Sequence, residues 1–264
     1  MKSEIEGIIK RYVEQYPEIK NVQTRWNEPL IFYADANDEM FNILKEAVSK
    51  THALPKDLMP DGQTVVAYFL PFDVSVVRSN IGGRECSKIW ATAYIETNQL
   101  IWDLNNHIKN ELEKAGHKSN IIPATHNFNE EKLMSDWSHR HVAYVAGMGT
   151  FGINNMLITD KGCCGRIGSF ITDVKLEPTE RKNNENCLYK HSNICGKCVD
   201  RCVNDALTDR GFDRFKCYEM CLYNDSFHSD IEGIADVCGK CLVNVPCSTR
   251  NPIKITAEHM IKED

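Results

Sequence analysis

The sequence predicts a mixed α/β core of the interspersed, α+β kind, joined to a C-terminal two-cluster ferredoxin-like module. Three observations point there. Apolar residues recur at helical spacing in some stretches and form short β-branched blocks in others, and the two alternate along the first two-thirds of the chain. A 42% hydrophobic content over 264 residues is enough to bury a sizeable core. Nine of the twelve cysteines fall between Cys187 and Cys247, which sets a boundary between a core at 1–180 and a module at 181–264.

Taken in order, Ile5, Ile8, Ile9, Tyr12 and Val13 predict an amphipathic helix over 3–16. Met40, Phe41, Leu44, Ala47 and Val48 predict a second over 38–50. TVVAYFLP at 64–71 is a short apolar run closed by a proline, which suits a buried strand. Trp90, Tyr94, Thr97, Ile101, Leu104, Ile108 and Leu112 predict the longest helix, over 88–115, with Gly116 placed to end it. KSNIIPAT (118–125) reads as a strand, WSHRHVAYVA (137–146) as a short helix, and INNMLIT (153–159) and RIGSFITD (166–173) as strands. Trp90, Trp102 and Trp137 are expected in the core, as large aromatics usually are.

No apolar run approaches the roughly 20 residues that cross a bilayer, and the charged start MKSEIEGIIKRYVEQ is unlike a signal peptide. A cytoplasmic protein without membrane attachment is expected. The formal net charge of −6 and the lack of a basic stripe point away from nucleic-acid binding. Clustered cysteines in a reducing compartment argue for metal or redox chemistry.

The strongest signal is C-x7-C-x2-C-x3-C at Cys187, Cys195, Cys198 and Cys202, answered by C-x2-C-x5-C at Cys238, Cys241 and Cys247. Cys217 and Cys221 lie between. In two-cluster ferredoxins the fourth cysteine of one run ligates the other cluster. On that logic Cys187, Cys195, Cys198 and Cys247 hold one 4Fe–4S cluster. Cys202, Cys238, Cys241 and one of Cys217 or Cys221 hold the second. The alternative is a four-thiolate zinc site made of the Cys195/Cys198 and Cys238/Cys241 pairs, which leaves five module cysteines without a role.

Gly147, Gly149 and Gly152 spell G-x-G-x-x-G, but a helix is predicted before them and a strand after, the reverse of a dinucleotide-binding turn. Glycines here permit close backbone approach to a flat ligand, or simply a tight turn.

WSHRHVAYVAGMGTFGINNMLIT, GRIGSFITD and the two cysteine runs resemble the epoxyqueuosine reductase family, which is related to the reductive dehalogenases. WNEPL, TVVAYFLPF and WATAYIETN are similar to a shorter branch of the same group. The resemblance implies an α/β core that holds cobalamin beside two 4Fe–4S clusters, with Gly147, Gly149, Thr150, Gly152 and Asn154 lining the cofactor. It selects Cys217 as the intervening ligand, fifteen residues after Cys202. The family's catalytic aspartate aligns without gaps on Leu133, with Asp136 nearby. The tRNA-modifying members continue into a helical-repeat domain, whereas this sequence ends soon after Cys247. Both departures imply a substrate other than epoxyqueuosine.

His139 and His141 flank Arg140 and project in different directions on a helix, so a shared metal is not expected; each is a candidate proton donor or a capping residue. Asp136, His139, Arg140 and Tyr144 form the candidate catalytic set, Tyr144 lying one turn from Arg140. Cys163 and Cys164 sit between glycines, as free thiols or a redox pair. Cys86 carries no motif. The expected function is an iron–sulfur oxidoreductase. An external low-potential donor would reduce the clusters, and a cofactor or small-molecule substrate at the glycine-rich segment would accept the electrons. The alternative is a non-catalytic electron carrier or electron-delivering subunit.

Overall fold

The computed structural model describes residues 1–123 and 128–254. The chain runs α1 (Lys2–Lys20), β1 (Leu30–Asp35), α2 (Met40–Ala47), α3 (Pro55–Leu58), β2 (Thr64–Pro71), α4 (Val74–Ser79), α5 (Lys88–Lys114) and β3 (Ser119–Ile121). It continues through β4 (Phe128–Asn129), β5 (Met134–Ser135), α6 (His139–Val145), β6 (Gly149–Phe151), β7 (Leu157–Thr159) and β8 (Gly165–Thr172). The cysteine-rich part holds α7 (Leu188–Ser192), α8 (Lys197–Asp200), β9 (Leu207–Thr208), β10 (Gly211–Phe212), α9 (Arg214–Phe227) and a 3-10 turn at Lys240–Leu242.

The main sheet has the order β1-β2-β8-β3 with every pair antiparallel: Leu30 faces Phe69, Thr64 faces Thr172, and Ser119 also faces Thr172. Small antiparallel sheets pair β4 with β5, β6 with β7, and β9 with β10. Helices and antiparallel strands together make an α+β fold.

β2 explains why its run is apolar throughout. Alternate residues face opposite sides of a strand, and here both sides are covered. Val65, Ala67 and Phe69 pack with α2 and α6 through Phe41, Leu44, Val142, Ala143 and Val145. Val66, Tyr68 and Leu70 pack under α1 and α5 against Ile5, Ile9, Leu100, Ile101 and Leu104. The Tyr68 hydroxyl, fully buried, donates to Asn105 Oδ1 at 2.8 Å, so the polar tip is satisfied inside the layer.

The long helix and the strand at 64–71 form where the periodicity placed them, and Ser87 caps α5 by accepting from the Trp90 amide at 3.1 Å. Three expectations change. Trp102 is 47% exposed on the face of α5 opposite Leu100, Leu104 and Ile108. The strand expected over 153–159 is confined to β7, because Asn155 takes a left-handed φ of 57° and the chain turns there. The strand expected over 118–125 is formed at Ser119–Ile121, while Ala124 and Thr125 lie outside the described residues. Strand β1 gives no sequence signal, since its half-buried edge residues do not alternate strictly. Among the described residues no helix is long and apolar enough to cross a membrane.

Candidate functional site

A third apolar cluster joins the core to the cysteine-rich part: Phe72, Val76, Val77 and Trp90 from around α4 and the start of α5 meet Cys163, Cys164, Leu242 and Val243. Two cavities open beside this seam.

The smaller is lined by Cys187, Cys195, Cys198 and Cys247, with Gly152, Asn154 and Ile158 from the β6–β7 hairpin. Burial, then repulsion from Cys247, Cys187 and Cys195, pushes the Cys198 thiol up to about 12. The larger, about 500 Å³, is lined by Cys202, Cys217, Cys221, Cys238 and Cys241 together with Cys163. Cys241 is pushed well above the ordinary thiol range by burial and then by Cys217, Cys238, Cys202 and Cys198. Burial, with Cys217 and Cys202 adding to it, raises Cys238 to about 11. Buried thiols that crowd one another in this way ionise only beside a positive charge such as a metal centre supplies. The two C-x2-C pairs line different cavities, so they do not share one four-thiolate ion site. Among the described residues no three His, Cys, Asp or Glu side chains come together as a single ion requires.

On α9, Cys217 and Cys221 stand one turn apart. The Cys221 thiol donates to Cys217, which with the Arg140 guanidinium holds Cys217 below its ordinary value despite burial, whereas Cys221 is driven well up. Within the pair, this hydrogen bond and the nearby guanidinium favour a thiolate on Cys217 over one on Cys221.

Lys240, between Cys238 and Cys241 in sequence, is 1% exposed. Its ammonium donates to the Asn80 carbonyl at 3.0 Å and the Gly82 carbonyl at 2.6 Å, and no carboxylate is paired with it among the described ion pairs. A buried cation is costly without a counter-charge. Burial lowers Lys240 below its ordinary value and Arg201 adds to the lowering, while Cys238, Cys86 and the Glu85 carboxylate only partly oppose it.

The candidate catalytic set is dispersed. Asp136 is exposed, accepts from the Thr51 hydroxyl and lines neither cavity. Tyr144 is 39% exposed and leans on Phe151, away from both cavities. His141 is held by Ser138 Oγ at 2.8 Å and tilted on Phe151. His139 lines the large cavity, but Ser169 Oγ at 2.7 Å and the Pro123 carbonyl at 2.8 Å occupy both ring nitrogens. Burial lowers it to about 4, so the ring is neutral near neutral pH. Arg140 lines the same cavity, anchored by a 2.8 Å bond to the Asn155 carbonyl.

The glycine-rich segment is also placed differently from the expectation. Gly147, Gly149 and Thr150 line neither cavity; Gly152 and Asn154 line the small one, and Asn154 the large one as well. Gly149 lies inside β6, and a Cβ there would come 2.2 Å from the Ile158 carbonyl oxygen. Its missing side chain lets the hairpin strands approach each other, not a ligand. The Thr150 hydroxyl donates to Glu185 at 2.9 Å and accepts from the Asn186 amide, pinning the chain that leads to Cys187.

Sequence reasoning missed much of the large cavity's wall. Phe69 and Phe72 end β2 and follow it, Tyr94 comes from α5, and Arg166 from β8. Arg166 lies over the Tyr94 ring at 4.4 Å, and Tyr94 donates to Asp236 Oδ1 at 2.7 Å, the one carboxylate on that wall among the described residues. None of these has a local motif. Lys240 was missed too, although a lysine inside a C-x-x-C turn is legible in the sequence.

No family model and no curated protein matches the sequence. Solved structures do match. An epoxyqueuosine reductase from Bacillus subtilis, with its catalytic aspartate loop swung out of the active site, superimposes with a TM-score of 0.57 at 16% identity, over 92% of this chain and 66% of that one. The Streptococcus thermophilus enzyme gives 0.55 at 15%, over 92% and 68%. A third, bound to an epoxyqueuosine-modified tRNA-Tyr stem loop, gives 0.56 at 17%, over 91% and 65%.

The chain has an epoxyqueuosine reductase-like fold. It spans about two thirds of the length of the epoxyqueuosine reductases it matches. At this identity the likeness is one of fold, and the side chains on the cavity walls are this chain's own.

Proposed function

We propose that the chain is an iron–sulfur oxidoreductase that reduces a small molecule, or a planar cofactor serving it, in the large cavity. One observation carries this reading: each cavity gathers a C-x2-C pair and a cysteine from the other run, Cys247 with Cys195/Cys198 and Cys202 with Cys238/Cys241. The residues that would hold the first 4Fe–4S cluster are Cys187, Cys195, Cys198 and Cys247. Those for the second are Cys202, Cys217, Cys238 and Cys241. The buried Lys240 fits beside a negatively charged centre. When bound, such clusters supply one-electron reduction at a potential set by charge, burial and hydrogen bonding.

The cavity favours an enzyme over a simple electron carrier. Its size is within the range of small-molecule sites, and aromatic side chains of Phe69, Phe72, Trp90, Phe128 and Trp137 offer flat apolar contact. It borders the second cysteine set directly. Cobalamin is the planar cofactor that the resemblance implies, and it would lie against this wall and not on the glycine segment. Leu133 lines the cavity with a left-handed φ of 50°, where the family alignment places a catalytic aspartate. That favours a substrate other than epoxyqueuosine. An external low-potential donor and a cytoplasmic setting complete the proposal.

Anaerobic reconstitution should give about eight irons and eight acid-labile sulfides per chain. About one zinc per chain with no sulfide would sink the reading. Calorimetric titration with cobalamin under the same conditions should show binding near one equivalent. No heat of binding would leave the substrate as the cavity's only occupant.

A further inference from the structure

Among the described residues three buried side-chain polar atoms have no hydrogen-bond partner: Trp90 Nε1, Asn98 Oδ1 and Ser119 Oγ. Trp90 alone of the three lines the large cavity. It is 2% exposed and fixed on the first turn of α5, with Phe72 packed edge-on against its ring at 5.2 Å. The indoles of half-buried Trp26 and buried Trp137 are satisfied. Trp26 Nε1 donates to Thr97 Oγ1 at 2.9 Å and Trp137 Nε1 to Ser169 Oγ at 3.1 Å.

The indole edge of Trp90 is set against Gly239, the residue after Cys238 in the C-x2-C turn. A Cβ on Gly239 would fall 2.3–2.6 Å from Cζ2, Cε2 and Nε1, and Gly239 has a left-handed φ of 71°. Glycine thus allows both the turn and the ring's approach to it. A buried N–H needs an acceptor, and the cavity that Trp90 lines is also lined by the thiols of Cys202, Cys217, Cys238 and Cys241.

We propose that Trp90 Nε1 donates a hydrogen bond to a sulfur of the cluster held by Cys202, Cys217, Cys238 and Cys241, and thereby raises that cluster's reduction potential. The inference rests on the cluster reading above. A donor to sulfur stabilises the more negative, reduced state more than the oxidised one, and hydrogen bonds to the sulfurs are among the determinants of cluster potential. Trp90 is a positioning and tuning residue in this account, and the core supplies it to the module.

Trp90→Phe keeps an aromatic ring against Phe72 and removes the N–H. After anaerobic reconstitution, an EPR-monitored redox titration should show unchanged iron and sulfide, one midpoint potential shifted downward and the other unmoved. The same downward shift should persist in a Cys187→Ala background, which retains only the second cluster. Full iron with both potentials at their wild-type values would overturn the inference, as would a shift confined to the first cluster. Should Trp90→Phe fail to assemble, wild-type protein labelled with indole-15N tryptophan decides the matter. Pulsed EPR of its reduced clusters should show a 15N coupling, and no coupling would overturn the proposal. Absence of sulfide from the wild-type protein would sink the cluster reading and this inference with it. Full sulfide with unmoved potentials would sink this inference alone.

Discussion

Cys217→Ala should halve the iron and sulfide of the reconstituted protein, from about eight to about four of each, whereas Cys221→Ala should retain all eight. Both thiols lie on α9 and line the same cavity, so proximity does not separate them. Charge does. Cys221 donates to Cys217, and the Arg140 guanidinium adds to the stabilisation of a Cys217 thiolate. Cys221 is itself pushed up by that same bond and by burial. A ligand must be a thiolate, so the cheaper thiolate is the better ligand and its neighbour remains a donor to it. Iron and sulfide assays on the two variants decide the matter. Four irons in Cys221→Ala with eight in Cys217→Ala would reverse the assignment.

Gly149→Val should destabilise the whole core and not act on a cofactor. The added Cβ would meet the Ile158 carbonyl oxygen at 2.2 Å and its carbon at 2.8 Å, both backbone atoms of the paired strand. Overpacking of this kind costs on the order of 3 kcal/mol, since a backbone cannot rotate aside as a side chain does. For a chain of this size that corresponds to a fall in Tm of roughly 6–12 °C. Thermal unfolding followed by circular dichroism measures it. A variant with wild-type Tm and impaired cofactor binding would instead return Gly149 to the ligand site. The hairpin also carries Thr150, which holds the chain entering Cys187. Loss of the hairpin should therefore lower iron content along with stability.

The same hairpin shows where sequence reading stopped. Three glycines at G-x-G-x-x-G spacing announce that backbone comes close to something, and the order of helix before and strand after, the reverse of a dinucleotide turn, is the order the structure has. What approaches Gly149 is another strand of the same chain, ten residues on, and nothing in the spacing distinguishes that from a ligand. His139 is similar. Its chemistry is legible as a residue type, but Ser169 and the Pro123 carbonyl, which use up its nitrogens, lie 30 and 16 residues away. Arg140, on the same helix, does reach the large cavity. Asp136 and Tyr144, read in one group with it, face elsewhere.

By itself the sequence determined the features that depend on near neighbours. These are the extent of the long helix from its three-to-four spacing, the central strand from its uninterrupted apolar run, and the iron–sulfur expectation from thiols three, four and eight residues apart. Such signals survive because the covalent chain fixes short-range geometry whatever the fold does. Tertiary structure decided which thiols share a cavity, that the glycine segment closes on itself, and that Trp90 and Arg166 from the core stand on the wall beside the second cysteine set. Periodicity reports only whether a face is buried. Which element covers that face, and which polar atom it leaves without a partner, follows from how α5 and β8 pack against a segment more than sixty residues later in the chain.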